Sequence, residues 1–294
     1  MVATPDGLGW LLTAAVCIFA CEPFHRGKEN LKDIWVTEFV GVFFVVILTC
    51  SGWWDSSGDI LGVLPIGWVF HAAGIVVTDR STGAHCNTGV SIAFLCLGKL
   101  GLIECVARGI GQCVGAAAGF YVCALLATAQ NWQQPAFPMV GANDPKDALM
   151  SASGYEFAAM ASLCLVVFSV NFEAPKKWSE HWSYYMTKML IVAVSIRLMV
   201  LAFNGPSINP ALSLGWMVFT TGHLGHFNFY LVYWIASLSG ALTATIAYAL
   251  YAKVSFLGVT LRKATSKAEP KTERVKPKRS TTPSRSKSPK QKAA

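Results

Sequence analysis

The 294-residue chain is long enough for two soluble domains, yet 53% of it is apolar, only 14% is charged and its mean hydropathy is +0.45. Those values exclude an ordinary soluble protein and point to a membrane class. The net charge of +8 is unevenly held: residues 253–294 carry 13 of the 24 Lys and Arg with only Glu269 and Glu273 as acids, so the tail is +11 and the rest of the chain is −3.

In chain order, the apolar run 8–21, LGWLLTAAVCIFAC, has no basic residue before it and no small-residue cleavage site after it. It is short for a full span and reads as an interfacial helix rather than a secretory signal, within an N-terminal segment 1–33. Six longer apolar segments follow at 34–52, 60–78, 103–128, 152–170, 184–203 and 228–251, each long enough to cross ~30 Å of hydrocarbon as a helix. Two shorter pieces, 87–97 and 209–219, would cover only about half that thickness, so they need a protein-lined site. The chain is therefore expected to be an all-α membrane protein of six transmembrane helices and two re-entrant half-helices. Its nine cysteines lie mostly in apolar stretches without paired spacing, which fits packing residues and no zinc or redox centre.

Basic residues sit before the first span (Arg26, Lys28, Lys32), after the second (Arg80, Lys99) and between the fourth and fifth (Lys176, Lys177, Lys188). The intervening loops have almost none. By the positive-inside rule both termini are expected on the cytoplasmic side, in plasma membrane or an internal compartment. The basic tail, 253–294, lacks the apolar content to offset ordering entropy and is expected to be disordered. Its charge suits anionic lipid, and Ser284, Ser286 and Ser288 stand where phosphate would weaken that attraction. Its final stretch, ATSKAEPKTERVKPKRSTTPSRSKSPKQKAA, has no aromatic residue for base stacking, so no nucleic-acid partner is expected.

The strongest feature is internal. Gly83-Ala84-His85-Cys86-Asn87-Thr88-Gly89 recurs as Gly205-Pro206-Ser207-Ile208-Asn209-Pro210-Ala211, each copy heading a short apolar segment. Each also follows a span bearing an acid in a similar setting, Glu38 in TEFVG and Glu156 in YEFAA. Two halves of three spans, about 34–128 and 152–251 within a domain 34–252, must then lie in opposite orientation in the membrane. Asn is a good helix N-cap and Pro suits the first helical position. Two such helices meeting tip to tip bring their positive dipole ends together, a barrier to cations beside amides that donate to a passing water. In the first copy Thr88 gives up the fixed angle of proline and Gly89 adds backbone entropy, so a looser half-helix is expected there.

With these residues in view, the chain resembles the aquaporin or major intrinsic protein family over roughly residues 35–252, whose inverted halves carry Asn-Pro-Ala at the start of half-helices. The second motif is intact at Asn209-Pro210-Ala211; the first departs from it as Asn87-Thr88-Gly89. Gln112, Gly115, Tyr233-Trp234 and Gly240 are further matches. The resemblance implies a pore midplane at Asn87, Thr88, Gly89, Asn209, Pro210 and Ala211, and loop support from Glu38, Glu156 and His85. It also implies a homotetramer with one pore per subunit. Against loop support, buried acids are also candidate proton carriers, and His85 a candidate pH gate.

Family spacing maps the selectivity filter to Gly67, with Trp68 the competing register, and to Arg197, Pro206 and Leu212. Most members carry Arg where Leu212 stands, and water-selective ones His where Arg197 stands. The guanidinium missing at 212 is then supplied from the opposite wall by Arg197, unless Arg197 pairs with an acid, snorkels or blocks the pore. Ser213 and Tyr233-Trp234 look like water-selective members. The expected function is passive transport of water, alone or together with small neutral solutes; the rivals are a poorly conducting structural or regulatory member and an ion-coupled transporter. No catalytic triad, metal-ligand set or cofactor site is recognisable in the motifs, His223 and His226 of HLGH included.

Overall fold

The computed structural model describes residues 30–49, 83–130, 145–173, 182–203, 205–219 and 225–260. All lie in the compact unit Met1–Arg262; the second unit, Lys263–Ala294, lies outside the described residues, as do the expected interfacial helix at 8–21 and second span at 60–78.

Seven helices are described: α1 (Leu31–Thr49), α2 (Thr88–Cys96), α3 (Leu102–Gln130), α4 (Lys146–Phe172), α5 (Trp182–Ala202), α6 (Pro210–Phe219) and α7 (Phe227–Ala252). Five coincide with expected spans, and the two short ones, α2 and α6, with the expected half-spans. Windows in α3, α4 and α7 satisfy both the length and the hydropathy needed to cross a membrane. The fold is that of two inverted halves, each ending its re-entrant loop in a half-helix. α1 begins where Asn30 Oδ1 accepts the Asp33 N–H at 2.8 Å while Asn30 Nδ2 donates to the Asp33 carboxylate at 2.6 Å, a reciprocal cap.

The inversion is visible in the packing. α1 lies along α3 and α4 along α7, one pair in each half. Each half-helix then packs against the last span of the other half, α2 on α7 and α6 on α3, so the halves interlock rather than sit side by side.

Close approach within each pair is set by small residues, as in other membrane bundles. A Cβ at Gly115 of α3 would overlap the Phe39 carbonyl oxygen of α1, and one at Gly240 of α7 would overlap the Phe157 carbonyl oxygen of α4. Backbone cannot yield as a flexible side chain does. Gly115→Ala is therefore expected to lower the unfolding temperature in detergent, losing at least the ~1–3 kcal/mol typical of overpacking. Gly154→Ala, where a Cβ meets nothing within 4 Å, is the control; it should be neutral or slightly stabilising.

Two features differ from the sequence expectation. Within α7, Tyr230–Ala236 is a π-helical stretch before α-helix resumes at Ser237, a wider winding that apolar length does not announce. And residues 253–260, expected to belong to a disordered tail, continue the fold: Ser255–Phe256 (β1) pairs antiparallel with Val259–Thr260 (β2) as a small hairpin.

Candidate functional site: the paired asparagines

The two motif copies adopt matching backbones. Gly83 and Gly205 have φ of 65° and 76°, and Cys86 and Ile208 have φ of 52° and 55°. The left-handed region costs an L-residue about 1–2 kcal/mol, and Ile208 is β-branched, so each turn needs an external tether. One carboxylate supplies it in each half. Glu38 of α1 accepts the N–H groups of His85 and Cys86, both at 2.8 Å; Glu156 of α4 accepts those of Ser207 and Ile208, the latter at 3.0 Å. Both carboxylates are sealed from solvent, at 0% and 1% exposure, where two bidentate backbone bonds offset a desolvation that would otherwise be prohibitive.

The turns deliver Asn87 and Asn209 to each other. Asn87 caps α2 through Oδ1, which accepts the Gly89 N–H at 2.9 Å, while its Nδ2 donates across to the Ile208 carbonyl at 2.7 Å. Asn209 caps α6 in the same way, accepting the Ala211 N–H at 3.1 Å, and its Nδ2 donates back to the Cys86 carbonyl at 2.8 Å. Each amide thus holds its own helix and the other half at once. Thr88, Gly89, Pro210 and Ala211 form the first turns behind them and are buried. Ser91 and Ser213, in the same frame, donate to the carbonyls of Asn87 and Asn209 at 3.2 and 3.3 Å.

The halves diverge in what surrounds the carboxylate. Glu38 also accepts from Arg108 of α3 at 2.6 Å and from Gln112 Nε2 at 2.9 Å. Arg108 in turn donates to the Gly83 carbonyl at 3.2 Å and pairs with Glu104 at 2.9 Å. Glu156 has instead the Ser237 hydroxyl at 3.2 Å; among the described residues the salt bridges are those of Arg108 with Glu38 and Glu104. Sequence reading singled out Gln112 but missed Arg108. The signal was the polar stripe Glu104, Arg108, Gln112 at four-residue spacing, one face of an otherwise apolar helix.

The departures in the first motif have local partners. The Thr88 hydroxyl donates to Gln112 Oε1 at 3.0 Å, a tether that the looser half-helix expected from the sequence left out of account. A Cβ at Gly89 would stand 2.6 Å from Met160 Cε, the flexible end of a side chain of α4 that packs against α2 at this point. His85 bonds Ser91 Oγ through Nδ1 at 3.0 Å and packs its ring 4.6 Å from that of Phe94. Of the filter positions expected from the sequence, Gly67 and Trp68 lie outside the described residues. Arg197 stands in α5, partly buried, and Pro206 partly buried in the turn before α6. Leu212 is buried in an apolar cluster with Cys86, Met189 and Trp216.

Comparison with known proteins agrees with this architecture. The chain is similar to the probable aquaporin PIP2-5 of Arabidopsis thaliana, 24% identical over 237 residues, covering 74% of this chain and 80% of the relative. It is 27% identical over 231 residues to the probable aquaporin PIP2-8 of Oryza sativa subsp. japonica, covering 75% and 81%. Among solved structures, the aquaglyceroporin from Plasmodium falciparum matches with a TM-score of 0.62 at 22% identity, over 74% of this chain and 95% of that one; this likeness speaks to the fold. The family model for the major intrinsic protein matches residues 26–248. With interlocked inverted halves, tip-to-tip half-helices and a family match spanning both, the chain belongs to the major intrinsic protein family.

Proposed function

We propose that this membrane channel passes water, with small neutral solutes as further cargo, along a path that crosses Asn87 and Asn209. The observation that carries the proposal is the reciprocal bonding of the two amides. An Asn side chain has two N–H donors, and the cross-bonds to the Ile208 and Cys86 carbonyls use one from each. The second donor of each amide is the group offered to a water oxygen, beside two helix N-termini whose positive ends repel cations.

Arg197 is the charge barrier of the filter in this proposal, standing in for the guanidinium that family members carry where Leu212 stands, with Pro206 and Gly67 or Trp68 completing the constriction. Glu38, Glu156 and His85 hold the loops and carry no protons through the membrane. The channel works as a homotetramer in a lipid bilayer, both termini on the cytoplasmic side, with the basic tail resting on anionic headgroups.

Osmotic swelling of vesicles carrying the purified protein tests this directly: water permeability at the level of empty vesicles would sink it. In the same assay Arg197→Ala should raise cation leak by about tenfold or more. A unit charge near a constriction is worth up to ~4 kcal/mol at an effective dielectric of 20. Leu212→Arg in that background should restore exclusion. Unchanged ion leak in Arg197→Ala would remove Arg197 from the filter.

A further inference from the structure

The first half-helix is closed off, at the end away from Asn87, by a segment from the far end of the chain. Carbonyls at a helix C-terminus need donors from beyond the helix. Most are met locally at the end of α2: the Leu97 N–H reaches the Ala93 carbonyl at 3.1 Å, the Lys99 N–H that of Phe94 at 2.9 Å and the Gly98 N–H that of Leu95 at 2.9 Å, with Gly98 left-handed. The carbonyl of Cys96 is met differently. It accepts the N–H of Leu257, 2.7 Å away.

Leu257 stands at the tip of the β1–β2 hairpin, where Ser255 pairs with Thr260 and Phe256 with Val259. Its φ of 49° and the 79° of Gly258 are the two left-handed positions that a two-residue hairpin turn demands. Glycine takes such a conformation freely and leucine does not. The Leu257 side chain is exposed, so the backbone bond to Cys96, not side-chain packing, is what the tip gains from this conformation. Both flanks are anchored. Lys253 ends α7 at φ 56° and Val254 turns the chain back with its N–H on the Ala249 carbonyl at 3.1 Å. Val254 and Phe256 pack against the same core cluster as Phe94 of α2 and Phe172 of α4.

We propose that the hairpin Ser255–Thr260 is a clip that fixes α2 along its axis, with the Leu257 N–H as its positioning group, and thereby sets where the Asn87 amide stands. The functional half of this inference rests on Asn87 lying on the conduction path. α2 has nine residues and so a length of about 13 Å; as a capped rod, it passes any axial slip at Cys96 on to Asn87.

The test compares five proteins in vesicles of zwitterionic lipid: the full chain, a chain ending at Thr260, a chain ending at Ala252, Leu257→Gly and Leu257→Pro. Two readouts are taken, alkylation of Cys96 by N-ethylmaleimide followed by mass spectrometry, and osmotic swelling. Cys96 is buried; it should stay protected in the full chain, in the chain ending at Thr260 and in Leu257→Gly, which keeps the N–H. It should react several-fold faster in the chain ending at Ala252 and in Leu257→Pro, and both should lose water permeability several-fold. Equal labelling in all five overturns the clip. Faster labelling with unchanged swelling overturns its positioning role. A full chain that protects Cys96 yet does not conduct refutes the channel reading and leaves the clip standing.

Discussion

Glu38→Ala should be the most damaging single substitution to the folded state, and more damaging than Glu156→Ala. Both remove the acceptor for two backbone N–H groups, one buried and one partly buried in each half; orphaning the buried one costs about 1–3 kcal/mol. Only the first also removes the closer and more deeply buried of the two carboxylates that pair with the buried Arg108, leaving the guanidinium with Glu104 alone. Breaking a buried ion pair from one side costs about 3–5 kcal/mol, against a whole-protein stability of about 5–15 kcal/mol. The expected result is a collapse in the yield of monodisperse Glu38→Ala protein in detergent, with Glu156→Ala recovered at reduced unfolding temperature. Neutralising both partners should help. Glu38→Gln with Arg108→Gln should be more stable than Glu38→Gln alone, since the charge then left without a partner is the partly exposed Glu104 and no longer a buried guanidinium. Equal losses for the two single alanine variants would mean that the ion pair adds nothing.

That asymmetry marks the limit of what the sequence disclosed. The helical spans were legible because hydrocarbon thickness imposes a length on apolar runs, and the half-spans because Asn87 and Asn209 each head a run too short to cross. Glu38 and Glu156 stood out as acids in apolar surroundings. Arg108 did not, since its meaning depends on Glu38, seventy positions away and on another helix. The same holds for Gly89: alone it reads as a weakened helix start, and only the structure brings the tip of the Met160 side chain into the space beside it. Thr88 likewise looks like a loss of proline until the Gln112 carbonyl is found within reach. Substitutions that compensate across helices are invisible to reasoning along one chain segment.

Beyond the sixth span, composition misled for a different reason. Charge density places 253–294 in one class, but the first eight residues of that stretch include Val254, Phe256 and Leu257 before most of the charge arrives. Averaging over the tail hides them. The π-helical stretch at Tyr230–Ala236 was illegible as well, because apolar periodicity cannot distinguish a local change of winding. Its consequence is positional: Ser237, the residue after it, is the one whose hydroxyl reaches Glu156.

On the proposed reading, in which Asn87 and Asn209 stand at the pore midplane, the largest functional change is expected from replacing one of them with its acid. Asn209→Asp keeps an oxygen to cap α6, and Asp is as good an N-cap as Asn. A negative charge beside two helix N-termini is also favourable by about 0.3–1 kcal/mol or more for each, which offsets part of the loss of the bond to the Cys86 carbonyl. Folding should survive. What does not survive is the barrier: the carboxylate cancels the positive field where the two half-helices meet, and cation or proton flux should rise by well over tenfold, as ~4 kcal/mol of charge interaction at close range allows. Because Asn87 makes the matching bonds, capping α2 and donating to Ile208, Asn87→Asp should behave the same way. Proton flux into dye-loaded vesicles measures both. A leak in one variant and none in the other would mean that the two amides, though matched in geometry, do not share a single pathway.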